Sequence, residues 1–204
     1  FRLLNTSAAR AFNRLIFPDR MRLVPLFTLC AAKLPALCGH ARDVSVDERI
    51  RSTFEIMSAP TEAILRRLYP VMYALHVMPP EAGLLNEVGE IVLPPRTALA
   101  GERVDARGAY LVDDGRQCLL WLGKMIDHGF LNAVFGAQGP PKPDVDFEPA
   151  LVEGIQLSKQ VCGVITEVRR RASIGCHCTL TVIKQGEPSE ALLFPSLVED
   201  RGAG

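Results

Sequence analysis

The chain has 204 residues, with 23 Lys or Arg and 23 Asp or Glu, so its formal charge is zero. A zero balance excludes a protein that binds nucleic acid mainly through a basic field, and it argues against attachment to anionic lipid by charge alone. Apolar residues at 48% and charged residues at 23% are typical of a folded globular protein rather than a disordered one.

The first 34 residues are apolar but contain neither a signal peptide nor a membrane span. Arginines and asparagines interrupt residues 1–16, which therefore lack the continuous apolar centre of a signal peptide. Residues 23–32 form the longest apolar run, which is about half of the roughly 20 residues that a membrane helix needs. Because Phe1 opens what resembles the middle of a helix, we expect the chain to be part of a longer protein.

The first 68 residues are predicted to be helical. A helix is expected over residues 23–34, with Pro25 in its first turn, where proline is tolerated. Ser45 and Glu48 have the spacing of a capping box, in which the glutamate reaches back to the cap residue. A helical stripe follows, and we interpret it as core rather than as a groove for a partner. It consists of Ile50, Phe54, Met57, Ala63, Ile64 and Leu68.

At Tyr69 the apolar period changes from that of a helix to that of a strand. Residues 69–76 alternate in strand fashion, and Pro70 favours an edge position. A hairpin is predicted over 108–122, because Asp114-Gly115 is typical of a two-residue type I′ turn. That turn predicts three pairs: Asp113 with Arg116, Leu111 with Cys118 and Tyr110 with Leu119.

A short helix is predicted around 126–135, a long helix over Phe147–Ala172, a strand over Cys178–Lys184 and a final helix from Pro188. Apolar residues cover half of the long helix, which indicates that it lies across a sheet, with Trp121 in or beside that core. The apolar half is Leu151, Ile155, Leu157, Val161, Cys162, Val164, Ile165 and Val168. The polar half is Glu153, Gln156, Lys159, Gln160, Glu167 and Arg170, with Val152 and Gly163 as exceptions.

The basic end of the long helix allows two interpretations. Arg169, Arg170 and Arg171 complement the negative end of the helix dipole, which is the interpretation we favour. The alternative is a site for a phosphoinositide or an acidic partner, although three charges bind a membrane weakly.

No residue is assigned to catalysis, to a cofactor or to a metal. Cys176-His177-Cys178 lacks a second ligand pair at the spacing of a zinc finger, so we expect reduced thiols. A hairpin turn already explains the adjacent Asp113 and Asp114, whereas calcium needs several convergent oxygen ligands. The histidines have no carboxylate or nucleophile at motif spacing. They are His40, His76, His128 and His177.

Three stretches together resemble one family over most of the chain. The first joins Met57–Pro60 to Leu65–His76, and the second joins Leu93–Pro95, Gly108–Gly115 and Leu120–Gly123. The third and most specific is Lys184–Phe194 with Val198–Asp200. The chain is therefore identified as a member of the COPII inner-coat family, the Sec-twenty-three/Sec-twenty-four type, and it is closer to the Sec-twenty-four cargo adaptor.

The resemblance implies an α+β chain. Residues 1–68 would be the C-terminal part of a helical domain, and residues 69–204 a gelsolin-like domain with a C-terminal segment. In the second domain a central mixed sheet would pack against a long helix and shorter helices. The zinc-finger, trunk and β-sandwich domains would precede Phe1, so zinc is expected only there. The family is expected to continue beyond Asp200 into a further helical segment.

The resemblance also implies a function. The chain would be a structural and interaction module of the vesicle coat in ER-to-Golgi transport, not an enzyme, cytoplasmic and peripheral at ER exit sites and on COPII vesicles. Its partners would be the sister inner-coat subunit and, through the full-length protein, cargo or SNARE export signals. Nucleic acid is not expected as a partner. The alternative is a gelsolin-type module that binds actin or calcium, because a fold alone does not determine function.

Overall fold

The computed structural model describes residues 18–38, 44–143, 145–172 and 178–199. Within them, helices precede a five-stranded sheet, so the predicted α+β arrangement is confirmed. The helices are α1 (Val24–Lys33), α2 (Val46–Ser58), α3 (Thr61–Leu68), α4 (His128–Phe135) and α5 (Gln156–Ala172). The strands are β1 (Val71–Ala74), β2 (Arg96–Thr97), β3 (Ala109–Asp113), β4 (Gln117–Leu122) and β5 (Thr179–Lys184).

Short 3-10 helices connect several of these elements. They span Asp19–Met21, Leu75–Val77, Gly101–Arg103, Gly136–Gln138, Pro188–Leu192 and Phe194–Ser196. The last two replace the helix predicted from Pro188. Among the described helices, none is both long enough and apolar enough to cross a bilayer.

The first helices begin where the sequence predicts. Pro25 lies in the first turn of α1, and the Ser45 hydroxyl caps α2 by accepting a hydrogen bond from the Glu48 amide at 3.2 Å. The Glu48 carboxylate does not complete the predicted capping box. It contacts the guanidinium groups of Arg51 and Arg116 instead, because these cations lie within its reach.

The sheet is mixed, as predicted. Its order is β2-β1-β3-β4-β5, with antiparallel pairs except for β5, which runs parallel to β4. The prediction that residues 69–76 form an edge strand is wrong, because β2 pairs with β1 through Thr97 with Met72 and Arg96 with Tyr73. Pro70 precedes β1, where its missing N–H removes no hydrogen bond from the sheet.

The β3–β4 hairpin is confirmed, but its predicted pairing is wrong by two residues. The Asp114 amide donates to the Gln117 carbonyl at 3.3 Å, so the tip is Gly115-Arg116 rather than Asp114-Gly115. Gly115 supplies the positive φ of 79° that the tip requires. The observed pairs are Asp113 with Cys118, Leu111 with Leu120 and Tyr110 with Trp121.

Both faces of the sheet are buried, each in its own core. The first core lies under α4 and α5 and contains Leu111, Leu120, Val161, Ile165, Leu180 and Val182. The second lies under α1 and the C-terminal 3-10 turns and contains Cys30, Met72, Trp121, Ile183, Leu193 and Leu197. Trp121 therefore does not share the core of the long helix but lies on the opposite face, where its Nε1 donates to Glu190 at 3.2 Å.

The long helix α5 begins at Gln156, nine residues later than predicted. Gly154 has a φ of 79°, which interrupts a helix, and the Phe147 amide donates to the Leu180 carbonyl at 2.8 Å. The segment before α5 thus runs along β5 and occupies part of its free edge. Leu151 and Ile155, which were predicted to face the core, are exposed.

Gln160 and Gly163 of α5 pack against the loop that follows β1. Gln160 was placed on the solvent side by the sequence pattern, but it is buried and its Nε2 donates to the carbonyls of Pro79, Pro80 and Ala82. Gly163 lies so close to this loop that an added Cβ would stand 2.0 Å from the Gly83 carbonyl oxygen. The helix and the loop are therefore in direct backbone contact.

Candidate interaction surfaces

The tip of the β3–β4 hairpin is tied to the end of α3 by two buried ion pairs. Asp113 Oδ2 accepts from Arg66 at 3.2 Å, and Asp114 Oδ2 accepts from Arg67 at 2.6 Å. Both aspartates are almost fully buried. Burial raises the pKa of both carboxyls, and the neighbouring arginines oppose that rise only in part.

The other carboxylate oxygens hold the turn itself. Asp113 Oδ1 accepts from the Gly115 amide, and Asp114 Oδ1 accepts from the amides of Arg116 and Gln117 at 2.9 Å each. Asp114 therefore satisfies turn amides and an arginine at once. These contacts explain why Asp114 precedes the two tip residues: one carboxylate oxygen binds the turn amides and the other binds Arg67.

We expect Asp114→Ala to lower the free energy of unfolding by about 3 kcal/mol, since it leaves two turn amides and a mostly buried Arg67 without their acceptor. Urea denaturation measures the loss. The matched variant Arg116→Ala removes a partly exposed pair with Glu48, 3.1 Å long, and should cost less than about 1 kcal/mol. Equal losses for the two variants would contradict the assignment of Asp114 as the main connection.

The two candidate metal clusters have different outcomes. The oxygens of Asp113 and Asp114 are engaged by amides and guanidinium groups, an arrangement that matches the turn interpretation. Of the second cluster, Cys176 and His177 lie outside the described residues, and the Cys178 thiol lies beside Cys118. Within the described ranges, no group of three or more Cys, His, Asp or Glu side chains is placed to hold a metal ion.

One face of α2 is apolar and exposed. Val46, Ile50, Phe54 and Met57 follow one another at helical spacing and are 72%, 62%, 70% and 82% exposed. The prediction that Ile50, Phe54 and Met57 belong to the core is therefore wrong for this chain. The physical reason is that α1, not α2, covers the sheet, through Leu26 and Cys30. An exposed apolar stripe of this length is typical of a surface that another protein element covers.

An open cleft lies beside the edge strand β2. Its volume is about 220 Å³, and its lining includes Tyr69, Met72, Leu99 and two side chains of opposite charge, Arg96 and Glu199. Pockets for small molecules usually enclose about 300–1,000 Å³. The size and openness of the cleft are thus not those of a substrate or cofactor pocket.

The basic end of α5 is internally neutralised, which favours the structural interpretation over an anion site. Arg169 is mostly buried, donates to the Cys178 carbonyl at 2.8 Å and pairs with Glu148 at 2.9 Å. Arg170 and Arg171 both bind the buried Glu167, at 2.7 and 2.6 Å. Hydrogen bonds from Arg170 and Arg171 lower the pKa of the Glu167 carboxyl to about 2, despite its burial.

We expect Glu167→Gln to cost about 1–2 kcal/mol at pH 7, a value reduced for the exposure of both arginines. A carboxyl whose folded pKa is lowered stabilises the fold above its unfolded pKa of about 4.3, and that contribution disappears as the pH falls towards 2. Urea denaturation at pH 7, 5 and 3 should show the gap to the parent closing, with the exposed Glu153→Gln as control. A gap that is constant with pH would contradict the ion-pair explanation.

The chain is similar in sequence to known proteins of one family. Residues 1–66 match the family model of the Sec23/Sec24 helical domain. The protein transport protein SEC24 A of Arabidopsis thaliana is 29% identical over 212 residues, which cover 100% of this chain and 20% of the relative. The protein transport protein sec24 of Aspergillus oryzae is 34% identical over 200 residues, which cover 91% and 21%. The chain belongs to the Sec24 family.

The fold agrees with the Sec24 assignment. The crystal structure of the human COPII-coat protein Sec24c matches with a TM-score of 0.76 and 27% identity, over 94% of this chain and 25% of that one. The family resemblance and the fold class predicted from the sequence are thereby confirmed. The chain spans about a fifth of the length of the curated Sec24 relatives it matches. The domain boundary at residue 68 stays a prediction.

The residues that organise these surfaces were not predicted from the sequence patterns. Arg66 and Arg67 lie 47 positions from their aspartate partners, and no local pattern connects them. Two features of the sequence could have suggested these ion pairs. Two adjacent arginines end a helix just before a strand, and two adjacent aspartates precede a hairpin tip. The sequence could not predict that the apolar face of α2 is exposed, because an amphipathic helix has the same pattern whether or not another element packs on that face.

Proposed function

We propose that the chain is part of the cargo-adaptor subunit of the COPII inner coat and serves there as a structural and protein-interaction module in ER-to-Golgi transport. The match of nearly the whole chain to Sec24 proteins, in sequence and in fold, is the observation that carries the proposal. The exposed apolar face of α2 supports it, because a module within a larger assembly keeps such a face for a neighbouring element.

The proposal also covers the binding partners of the chain and its location in the cell. The sister inner-coat subunit and, through a longer protein, cargo or SNARE export signals are the proposed partners, with no nucleic acid among them. The chain would act on the cytoplasmic side of the ER membrane, peripherally, as part of the assembled coat. It would work without cofactor, metal or catalysis. The zero net charge supports only the point that nucleic acid is not a partner.

A chimera tests the module directly. The stretch of the Aspergillus oryzae relative that aligns with this chain is replaced by the chain, and the hybrid is asked to support growth and co-purification with the sister coat subunit. We expect it to do both, whereas a hybrid that carries Val161→Asp should do neither. Loss of both functions in a hybrid that is folded and expressed at parental levels would overturn the proposal.

A second experiment tests whether cargo signals bind within these residues. Labelled export-signal peptides are titrated against the chain alone and against a full-length Sec24 relative. We expect binding to the relative and little to the chain, because the described cleft is small and open. Equal micromolar affinity for both would show that a cargo pocket lies within the 204 residues and that the module is more than structural.

A further inference from the structure

Two cysteines from distant parts of the chain meet in the first core. The Sγ atoms of Cys118 and Cys178 are 3.4 Å apart although the residues are 60 positions apart in sequence. Cys118 lies in β4, and Cys178 immediately precedes β5, the parallel neighbour of β4. Both residues are buried, at 0% and 3% exposure.

We propose that Cys118 and Cys178 are a modification site, which a peroxide converts to a reversible disulfide joining β4 to the start of β5. A disulfide needs an Sγ–Sγ distance of about 2.05 Å, so the two sulfurs must approach by roughly 1.3 Å. The strand partner of Cys118 is Leu180, two residues beyond Cys178, so the approach includes a shift of the segment that precedes β5. The site goes beyond the coat function, which requires no redox chemistry.

The surroundings of the two thiols assign them different roles. The pKa of the Cys178 thiol is lowered, chiefly by its hydrogen bond with Cys118 and also by the Arg169 charge, whereas burial, Asp113 and Asp114 oppose that shift. The pKa of Cys118 is raised by that same hydrogen bond, by burial and by the aspartates of the hairpin turn. Cys178 lies just before β5 and beside Arg169, whose guanidinium donates to the Cys178 carbonyl at 2.8 Å, whereas Cys118 lies inside β4. This placement assigns Cys178 as the thiol that attacks the peroxide and Cys118 as the resolving thiol.

The reaction balances with hydrogen peroxide as the oxidant. The Cys178 thiolate attacks one peroxide oxygen, the O–O bond breaks, and Cys178 becomes a sulfenic acid while the departing hydroxide takes up a proton to form water. The Cys118 sulfur then attacks the Cys178 sulfur, the S–O bond breaks, and the hydroxide leaves as a second water with the proton of Cys118. Two thiols are oxidised to one disulfide, and one peroxide is reduced to two waters.

Burial of both thiols makes the reaction slow. A peroxide molecule is small, and Cys178 lies at the end of a strand, where local opening needs less free energy than in the middle of a sheet. The disulfide would close a loop that contains α4 and α5, and closing a long loop stabilises a protein by restricting its unfolded state. Oxidation would therefore raise the free energy of unfolding, until a thiol reductant reverses it.

The test treats the fully reduced 204-residue chain with hydrogen peroxide, followed by alkylation and peptide mass mapping. We expect two fewer alkylated cysteines, a linked peptide pair containing Cys118 and Cys178, and a Tm raised by about 10 °C that dithiothreitol reverses. A linked pair involving another cysteine, the absence of any linked pair containing Cys118 and Cys178, or an unchanged Tm of the linked form would overturn the proposal.

Variants separate the two roles. In Cys118→Ala, the sulfenic acid of Cys178 should persist and react with dimedone, whereas in Cys178→Ala residue 118 should remain an unmodified thiol. Cys162→Ala is the matched control and should still form the linked pair. Dimedone labelling of Cys118 in the Cys178→Ala variant would show that the roles are wrongly assigned. The parent chain alone decides whether the link forms, even where a variant is unstable.

Discussion

Val161→Asp is expected to lower the free energy of unfolding by about 4 kcal/mol or more, enough to unfold a domain of ordinary stability. Val161 is fully buried, and it packs with Val164, Ile165 and Val168 of α5 against the sheet. Among the described residues, the cluster to which Val161 belongs consists of apolar side chains, so it offers a carboxylate no compensation for lost water. The carboxylate must either lose its solvation or become protonated, and both cost free energy.

Far-UV circular dichroism during heating measures the effect. The matched control is Thr166→Asp, which places the same side chain on the exposed face of the same helix and should change Tm by no more than a few degrees. If Val161→Asp melts within a degree or two of the parent, the apolar face of α5 is not the core of the domain.

Gly163→Ala is expected to lower the free energy of unfolding by about 2–3 kcal/mol. The alanine Cβ would stand 2.0 Å from the Gly83 carbonyl oxygen, which belongs to the backbone and cannot rotate away. Gly83 has a φ of 76°, and a Cβ there would in turn meet the Gln160 carbonyl at 2.0 Å. The loop and the helix thus require glycine on both sides of their contact.

The sign of this effect discriminates between two explanations of Gly163. Helix propensity alone predicts that alanine stabilises α5 by up to about 1 kcal/mol. Close packing predicts the opposite. Urea denaturation of Gly163→Ala decides between them, with Thr166→Ala as the control for propensity at an exposed position. A stabilised Gly163→Ala would show that the loop yields and that the contact is not a constraint.

The junction between α3 and the hairpin connects the helical part of the chain to the sheet. Arg66 and Arg67 reach the hairpin from α3, and Arg116 returns from the hairpin to Glu48 of α2. Since α2 carries the exposed apolar stripe, the same ion pairs hold that stripe in a defined position relative to the sheet. A partner that covers α2 would therefore be oriented with respect to the gelsolin-like part as well.

Helix caps and strand alternation were predicted correctly because they depend on interactions between residues that are close in the chain. Ser45 caps α2, Pro25 lies in the first turn of α1, and β5 alternates as predicted, with Leu180 and Val182 on one face and Ile183 on the other. These features depend on hydrogen bonds and side-chain directions within a few residues. The family could likewise be identified because its motifs are contiguous in the chain.

Features that depend on residues far apart in the chain could not be predicted from local patterns. The hairpin tip shifted because Arg67 and the turn amides hold Asp114, and α5 starts late because residues before it bind the edge of β5. Gln160 is buried because the loop after β1, about 80 positions earlier in the chain, places three backbone carbonyls within hydrogen-bond distance of its side-chain amide. The spacing of apolar residues predicts which side chains lie on the same face of a helix or strand. Which other element packs on that face depends on the rest of the fold.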